Sequence, residues 1–157
     1  MKAPSLDRRL VLTGLLLLAG IAAALWWLLW REPEPRIDIA DASLVASGGA
    51  LYGEHCAACH GAELEGAPAW QEPLDDGTYL APPHDKTGHT WHHPDALLFA
   101  IVKHGGQSQA PAGFTSTMPG FEGVLDDHDI AAVLSFIQSR WPADILDDRA
   151  RNLEPGI

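Results

Sequence analysis

The chain has few cysteines, few methionines and few basic residues. Its 157 residues include 2 Cys, 2 Met and 10 Lys plus Arg, against 21 Asp plus Glu. Two cysteines are too few for a zinc site built from thiolates alone. The formal charge of −11 disfavours nucleic acids and anionic lipid surfaces as partners. No strand pattern and no internal repeat is evident, so the composition favours one small helical domain.

Both cysteines lie in a single motif, Cys56-Ala57-Ala58-Cys59-His60. Cys-x-x-Cys-His is the spacing at which a c-type haem is attached, the thiols adding to the vinyl groups and the imidazole binding the iron. A thioredoxin-like redox pair is an alternative, but it needs a βαβ context and residues 44–55 have a helical pattern. Half of a zinc site would need histidines to complete it. A disulfide would close too small a loop to stabilise much.

A second axial ligand for the iron is offered by Met118, in the sequence Met118-Pro119-Gly120-Phe121. This stretch lies in a Gly/Pro/Ser/Thr-rich loop, residues 105–123, and the other methionine is the initiator. A thioether favours reduced iron and raises the reduction potential, which is typical of electron transfer. The alternative is that Met118 fills a gap in the core, as most methionines do.

These features together resemble a known family. Gly48-x-x-Leu51-Tyr52 before the cysteine motif, the Met-Pro-Gly-Phe loop and a closing amphipathic helix are similar to those of the monohaem class I c-type cytochromes of bacteria, over residues 43–140. The resemblance implies an all-α cytochrome c fold, with three to five short helices around one covalently bound haem. It implies one haem c, attached through two thioethers and ligated by His60 and Met118. It also implies an electron carrier rather than an enzyme.

Two structural details are implied by the same resemblance. The helix containing Gly48 is expected to cross the helix containing Phe136 closely, with the glycine allowing the approach. A proline carbonyl downstream of the motif is expected to accept the second ring proton of His60. Pro68 is the nearest proline, although its spacing is shorter than is usual in the family.

The apolar spacing predicts three helices in the haem domain. The first covers residues 44–55 and leads directly into the cysteine motif. The second has Pro94 in its first turn and stops at Gly105. The third begins at Asp126, a favourable N-cap, and ends at about Arg140, because Pro142 disfavours helix at the residue before it.

The N-terminal region predicts a membrane anchor. Residues 10–30 are 21 residues without a charge, and at a rise of about 1.5 Å per residue they would span roughly 31 Å. We therefore expect residues 1–9 in the cytoplasm, 10–30 as a transmembrane helix, 31–40 as a Pro-containing linker and 41–157 as the haem domain. The basic residues ahead of the span predict a single-pass protein of the bacterial inner membrane with a periplasmic haem domain. A cleaved signal peptide is the alternative, but cleavage after residue 24 would leave a strongly apolar mature terminus.

The charge of the haem domain predicts its partners. Residues 37–157 contain 18 acidic and 5 basic residues, a formal charge of −13. Complementary charge raises encounter rates, so a redox protein with a basic docking face is expected. The alternative is that the charge only keeps the domain soluble.

Four histidines, His84, His89, His92 and His93, fall within ten residues. This segment looks like an insertion, and three interpretations are open. The histidines are a second metal site, for example for copper or zinc; they donate hydrogen bonds to the haem propionates while Trp91 packs on the macrocycle edge; or they form a surface loop.

Two classes of function are compatible with the sequence. The first is a membrane-tethered, periplasmic electron-transfer protein with one His/Met-ligated haem. The second is a haem site that binds or turns over a small ligand, as in a sensor or a peroxidase-like enzyme. In either case the chain can be a fixed subunit of a larger oxidase or reductase.

Overall fold

The computed structural model describes residues 8–30 and 36–153, and the chain divides into two compact units, Met1–Glu34 and Pro35–Ile157. In the first unit, helix α1 covers Arg8–Trp30. Within the described ranges, no helix meets the length and apolar character needed to cross a membrane. The transmembrane anchor therefore stays a prediction. The expected cytoplasmic segment up to residue 7 and residues 31–35 of the expected linker lie outside the described residues.

The second unit is helical, as predicted. Its α-helices are α2 (Ala42–His55), α3 (Ala57–His60), α4 (Asp95–His104), α5 (Asp127–Ser139) and α6 (Ala143–Asn152). Two short 3₁₀ turns cover Thr90–His92 and Gly106–Gln109. Between residues 36 and 153 the extended pairing is limited to isolated bridges, Pro73 with Tyr79 and Thr78 with Thr115.

The core forms where α2, α4 and α5 meet. Helix α5 contributes a nearly continuous buried face, with Ile130, Val133, Leu134 and Ile137 all at most 2% exposed. Tyr52 of α2 and Leu98 of α4 pack into the same cluster. The apolar spacing of each helix thus places one stripe in a shared core.

Helices α2 and α5 cross closely at Gly48. A Cβ atom built on Gly48 would overlap the carbonyl oxygen of Ala132 and would lie 3.0 Å from the Cβ of Phe136. The ring of Phe136 packs against Tyr52, with centroids 5.4 Å apart. The predicted crossing is confirmed, and the absence of a side chain at residue 48 is what permits it.

The helix ends follow local chemistry. Asp126 caps α5, and its carboxylate accepts from the backbone N–H of Asp129 at 2.8 Å while Asp129 reciprocates. Pro94 is the N-cap of α4 and not a first-turn residue, a shift of one position from the prediction. The sequence pattern did not predict α6. This helix begins directly after Pro142, and proline is well tolerated at the start of a helix.

Candidate haem-binding site

The cysteine motif is presented at the end of α2. Cys56 caps α2, and the next four residues form the single turn α3, so that both thiols and the imidazole of His60 lie on a short, hydrogen-bonded stretch of backbone. His60 is 7% exposed. The hydroxyl of Tyr52 donates to the carbonyl oxygen of Gly61 at 2.9 Å, which ties the motif back to α2.

One nitrogen of His60 is held by a backbone carbonyl. Its Nδ1 lies 2.8 Å from the carbonyl oxygen of Pro82. A carbonyl only accepts, so Nδ1 carries the proton and donates it, and Nε2 keeps a free lone pair for a metal. The expectation that Pro68 provides this carbonyl is wrong. The chain between the motif and the orienting proline is longer than expected, and Pro82 reaches His60 from 22 residues downstream.

The protonation states suit metal binding and argue against a redox dithiol. Burial lowers the pKa of His60, opposed by the hydrogen bond to Pro82, so the imidazole is neutral at pH 7, the form that binds metals. Burial, together with the neighbouring Cys59, raises the pKa of the Cys56 thiol to about 11. A thioredoxin-like nucleophile needs a lowered thiol pKa. Cys56 and Cys59 are both free thiols, so they are available for thioether bonds.

The loop of Met118 lies against the end of α4 and beside the cysteine motif. The N–H of Phe121 donates to the carbonyl oxygen of Val102 at 3.0 Å, and the N–H of Gly106 donates to that of Met118 at 3.1 Å. The ring of Phe121 lies 6.3 Å from that of His55, the residue that precedes Cys56. Met118 itself is partly buried against the core cluster. The fold therefore brings the Met118 loop to the haem motif, although 58 residues separate His60 from Met118.

The histidine-rich segment folds over His60. The ring of His84 stacks on that of His60, with centroids 4.0 Å apart and an angle of 23°. The backbone N–H of His84 donates to the carbonyl oxygen of Leu64 at 2.8 Å, and its Nδ1 lies 2.9 Å from the hydroxyl of Thr90. Burial lowers the pKa of His84 well below 6.5, so this stacked ring is neutral.

The other three histidines pair with aromatic rings and with each other. His89 stacks on Trp70 at 5.3 Å and meets His93 edge-on at 5.3 Å, while His92 stacks on Trp91 at 3.6 Å. Among residues 8–30 and 36–153, the group whose ligand atoms lie close enough for a metal is Asp126, His128 and Asp129, at the capped start of α5. The second metal at residues 84–93 therefore stays a prediction.

A contact between two aromatic rings joins the two loops of the site. Tyr79 stacks on Phe114 at 4.9 Å, and Thr78 bridges to Thr115, so the loop that follows the cysteine motif is joined to the loop of Met118. An apolar cavity of about 300 Å³ lies beside this contact and reaches Pro82, the hydrogen-bond partner of His60.

Trp91 provides a test of whether a haem fits these residues. Its indole Nε1 is buried and has no hydrogen-bond partner within the described chain. An orphaned buried N–H is costly, and natural proteins pair such groups. A haem brings two carboxylates as acceptors, an iron for His60 Nε2 and two vinyl groups for the thiols. The donor set therefore fits a haem, with Cys56, Cys59, His60 and Met118 as the residues that would hold it.

The cysteine motif predicts the attachment residues, whereas the residues that support them in the structure had no such signal. Pro82, His84 and Arg149 were not singled out for the roles they have in the structure. The adjacent prolines Pro82-Pro83, which restrict the backbone, are the local signal that could have indicated a fixed carbonyl. Nothing in the sequence indicated that a histidine would stack on His60.

Known proteins support the same interpretation. The family model described as cytochrome c matches residues 45–141, more than half of the chain. The Cbb3-type cytochrome c oxidase subunit CcoP of Azospirillum brasilense is 29% identical over 100 residues, covering 60% of this chain and 30% of that protein. The chain thus spans less than a third of that relative's length. No solved structure matches the chain. The chain belongs to the cytochrome c family, and its cofactor is a haem c held covalently through Cys56 and Cys59.

Proposed function

We propose that the protein transfers electrons through one haem c whose iron is ligated by His60 and Met118, and that it works within or beside a membrane-bound oxidase. The observation that carries the proposal is the buried His60, whose Nδ1 is fixed on Pro82 beside two free thiols. When bound, the haem supplies a one-electron iron couple. The chain holds the iron ligand in one tautomer and orientation, so that little rearrangement accompanies the change of charge.

Met118 as the sixth ligand separates electron transfer from small-ligand chemistry. The segment from Met118 to Phe121 is held at both ends by backbone hydrogen bonds, Met118 to Gly106 and Phe121 to Val102. Such a segment suits a ligand that stays in place. We expect the ferric protein to show the far-red absorption typical of methionine ligation, and the ferrous protein to bind carbon monoxide slowly. Met118→Leu should lose that band and bind carbon monoxide rapidly. Val124→Leu, an exposed position just beyond the loop, is the matched control.

Rapid carbon monoxide binding by the unmodified protein would contradict His/Met ligation and favour a sensor or peroxidase-like site. Retention of the far-red band in Met118→Leu would show that another residue binds the iron. Both measurements need only the holo-protein and a spectrophotometer.

Attachment to the bacterial inner membrane is part of the proposal. Its support is the uncharged stretch of residues 10–30 and the exposed leucines of α1, such as Leu16 and Leu17, at 72% and 68%. We expect the protein to stay in membranes washed at alkaline pH, with a protease-accessible haem domain on the periplasmic side. Leu17→Arg should weaken insertion, since a central arginine costs about 3 kcal/mol. Leu17→Ala is the control, and release of the unmodified protein by the wash would contradict the anchor.

The proposed redox partner has a basic docking face. In the haem unit Lys103 pairs with Asp127 at 2.6 Å and Arg149 with Asp95 at 2.6 Å, so two of its few basic side chains are neutralised by internal ion pairs. The remaining acidic side chains greatly outnumber the basic ones and are available to solvent and partners. The likeness to a CcoP subunit supports an oxidase as the partner. Co-purification in mild detergent tests this, and an electron-transfer rate that does not fall with ionic strength would exclude electrostatic steering.

A further inference from the structure

Arg149 of α6 makes an unusual set of contacts for a residue so near the end of the described chain. Its side chain is 5% exposed. One terminal nitrogen, Nη1, donates to the carbonyl oxygens of Trp91 and His93 at 2.7 and 2.6 Å. The other, Nη2, donates to Asp95 at 2.6 Å. The guanidinium therefore binds the backbone carbonyls on both sides of His92 and the side-chain carboxylate of Asp95, the first residue of α4.

The same region holds His84. The guanidinium of Arg149 lies over the ring of Trp141, 4.8 Å from its centroid. The indole of Trp141 donates to the carbonyl oxygen of His84 at 2.7 Å. Three carbonyls of the histidine-rich segment, those of His84, Trp91 and His93, are thus bound by side chains that follow α5 in the sequence.

These contacts end beside the cysteine motif, because Thr90, the residue before Trp91, lies 2.9 Å from Nδ1 of His84 through its hydroxyl. His84 stacks on the axial His60, and Trp91 carries the buried, unpartnered indole N–H. Arg149 lies beyond residue 141, where the match to the family ends. A guanidinium suits this task, because its planar fork can donate to several acceptors at fixed angles.

We propose that Arg149 is a positioning residue for the haem: by fixing the carbonyls of Trp91 and His93, it aims the indole N–H of Trp91 at a haem carboxylate and thereby raises the reduction potential. A hydrogen bond to the carboxylate withdraws negative charge that would otherwise stabilise ferric iron. Loss of the bond therefore favours the oxidised haem and lowers the potential. The inference rests on the covalent haem c and does not depend on Met118 ligation, the membrane anchor or the oxidase partner.

The experiment measures the reduction potential of four holo-proteins by spectroelectrochemistry: unmodified, Arg149→Gln, Trp91→Phe and the double variant. Arg149→Gln should lower the equilibrium constant for reduction about threefold, or ~28 mV at 59 mV per tenfold change. Trp91→Phe should lower it at least as much. In the double variant the effect of Arg149→Gln should vanish, because the indole through which Arg149 acts is gone.

Two further variants separate positioning from other effects. Arg149→Lys keeps the positive charge and loses the fork, so its potential should stay low; a return to the unmodified value would show a simple charge effect and overturn the proposal. If Arg149→Gln does not accumulate as holo-protein, Arg149→Lys takes its place in the comparison of the single and double variants. Ile130→Val, in the core of α5, removes one buried methyl group and keeps the hydrogen bonds from Arg149 to Trp91 and His93, so it should destabilise the fold and leave the potential unchanged.

The proposal fails if the effects of Arg149→Gln and Trp91→Phe add in the double variant, if either leaves the potential unchanged, or if Ile130→Val shifts it equally. A failure of the proposed function is visible separately, as rapid carbon monoxide binding by the unmodified protein. The coupling between Arg149 and Trp91 can therefore be judged whichever residue supplies the sixth ligand.

Discussion

The crossing of α2 and α5 makes a sharp prediction about Gly48. In Gly48→Ala, the new methyl group would overlap the carbonyl oxygen of Ala132, which belongs to the backbone of α5 and cannot rotate away. The two helices must separate for the methyl to fit. Because Gly48 lies on the buried face of α2, the separation loosens the packing of the core that α2 and α5 share.

The magnitude follows from two opposing effects. Restoring ordinary contact needs a separation of about 1.5 Å, which forfeits most of the dispersion energy at the crossing. Overpacking of this kind costs about 1–3 kcal/mol, occasionally more. Alanine is the better helix former by about 1 kcal/mol, which offsets part of the loss. Because the overlap is with a backbone atom, the overpacking cost lies at the upper end of that range, and we expect the free energy of unfolding to fall by about 2 kcal/mol.

Chemical denaturation of the holo-protein, followed by far-ultraviolet circular dichroism and by haem absorption, measures the change. Gly53→Ala is the matched control: it lies in the same helix, and a Cβ there meets nothing within 4 Å. It should stabilise the protein by up to about 1 kcal/mol. Gly49→Ala should fall between them, because its methyl meets the ring of Phe136 at 3.1 Å and a ring can shift. Equal stability of the Gly48 and Gly53 variants would refute the close crossing.

Three other predictions concern single side chains. Burial lowers the pKa of His84 well below 6.5, so below about pH 6.5 the unfolded state binds a proton that the folded state does not, and the free energy of unfolding should fall. Urea titrations should show a smaller fall in His84→Leu than in the unmodified protein or in the control His128→Leu, at an exposed position. Asp126→Ala removes the N-cap of α5 and should cost about 1 kcal/mol in the same titrations, whereas an unchanged midpoint would mean that the cap contributes nothing. Tyr52→Phe leaves the carbonyl of Gly61 without its 2.9 Å donor and should cost about 1–2 kcal/mol; a thermal midpoint equal to that of the unmodified protein would contradict this.

The parts of the fold that the sequence predicted are those with local signals. Helices α2, α4 and α5 have apolar stripes and recognisable ends, and their observed bounds lie within about two residues of the predicted ones. The cysteine motif is contiguous, so its presentation by α2 and α3 followed from sequence alone. The crossing at Gly48 was predicted through the resemblance to a known family and then confirmed by geometry.

The parts that were missed depend on contacts between distant residues. Pro82 meets His60 across 22 residues, and Arg149 meets Trp91 across 58. Such pairs have no periodicity and no short motif, and they are decided by how the loops pack. Helix α6 was missed for a different reason, since it has a strongly polar sequence in which Pro142 was interpreted only as a stop.

The carboxylate of Asp95 has a consequence for where this cytochrome ends. One of its oxygens accepts from Gln138 of α5 and from Arg149 of α6, each at 2.6 Å. A protein shortened to residue 141, the last residue that the family match covers, would keep the first donor and lose the second. It would also release the carbonyls of Trp91 and His93. The smallest piece of this chain that behaves as the whole cytochrome therefore extends about a dozen residues past the boundary that its family suggests.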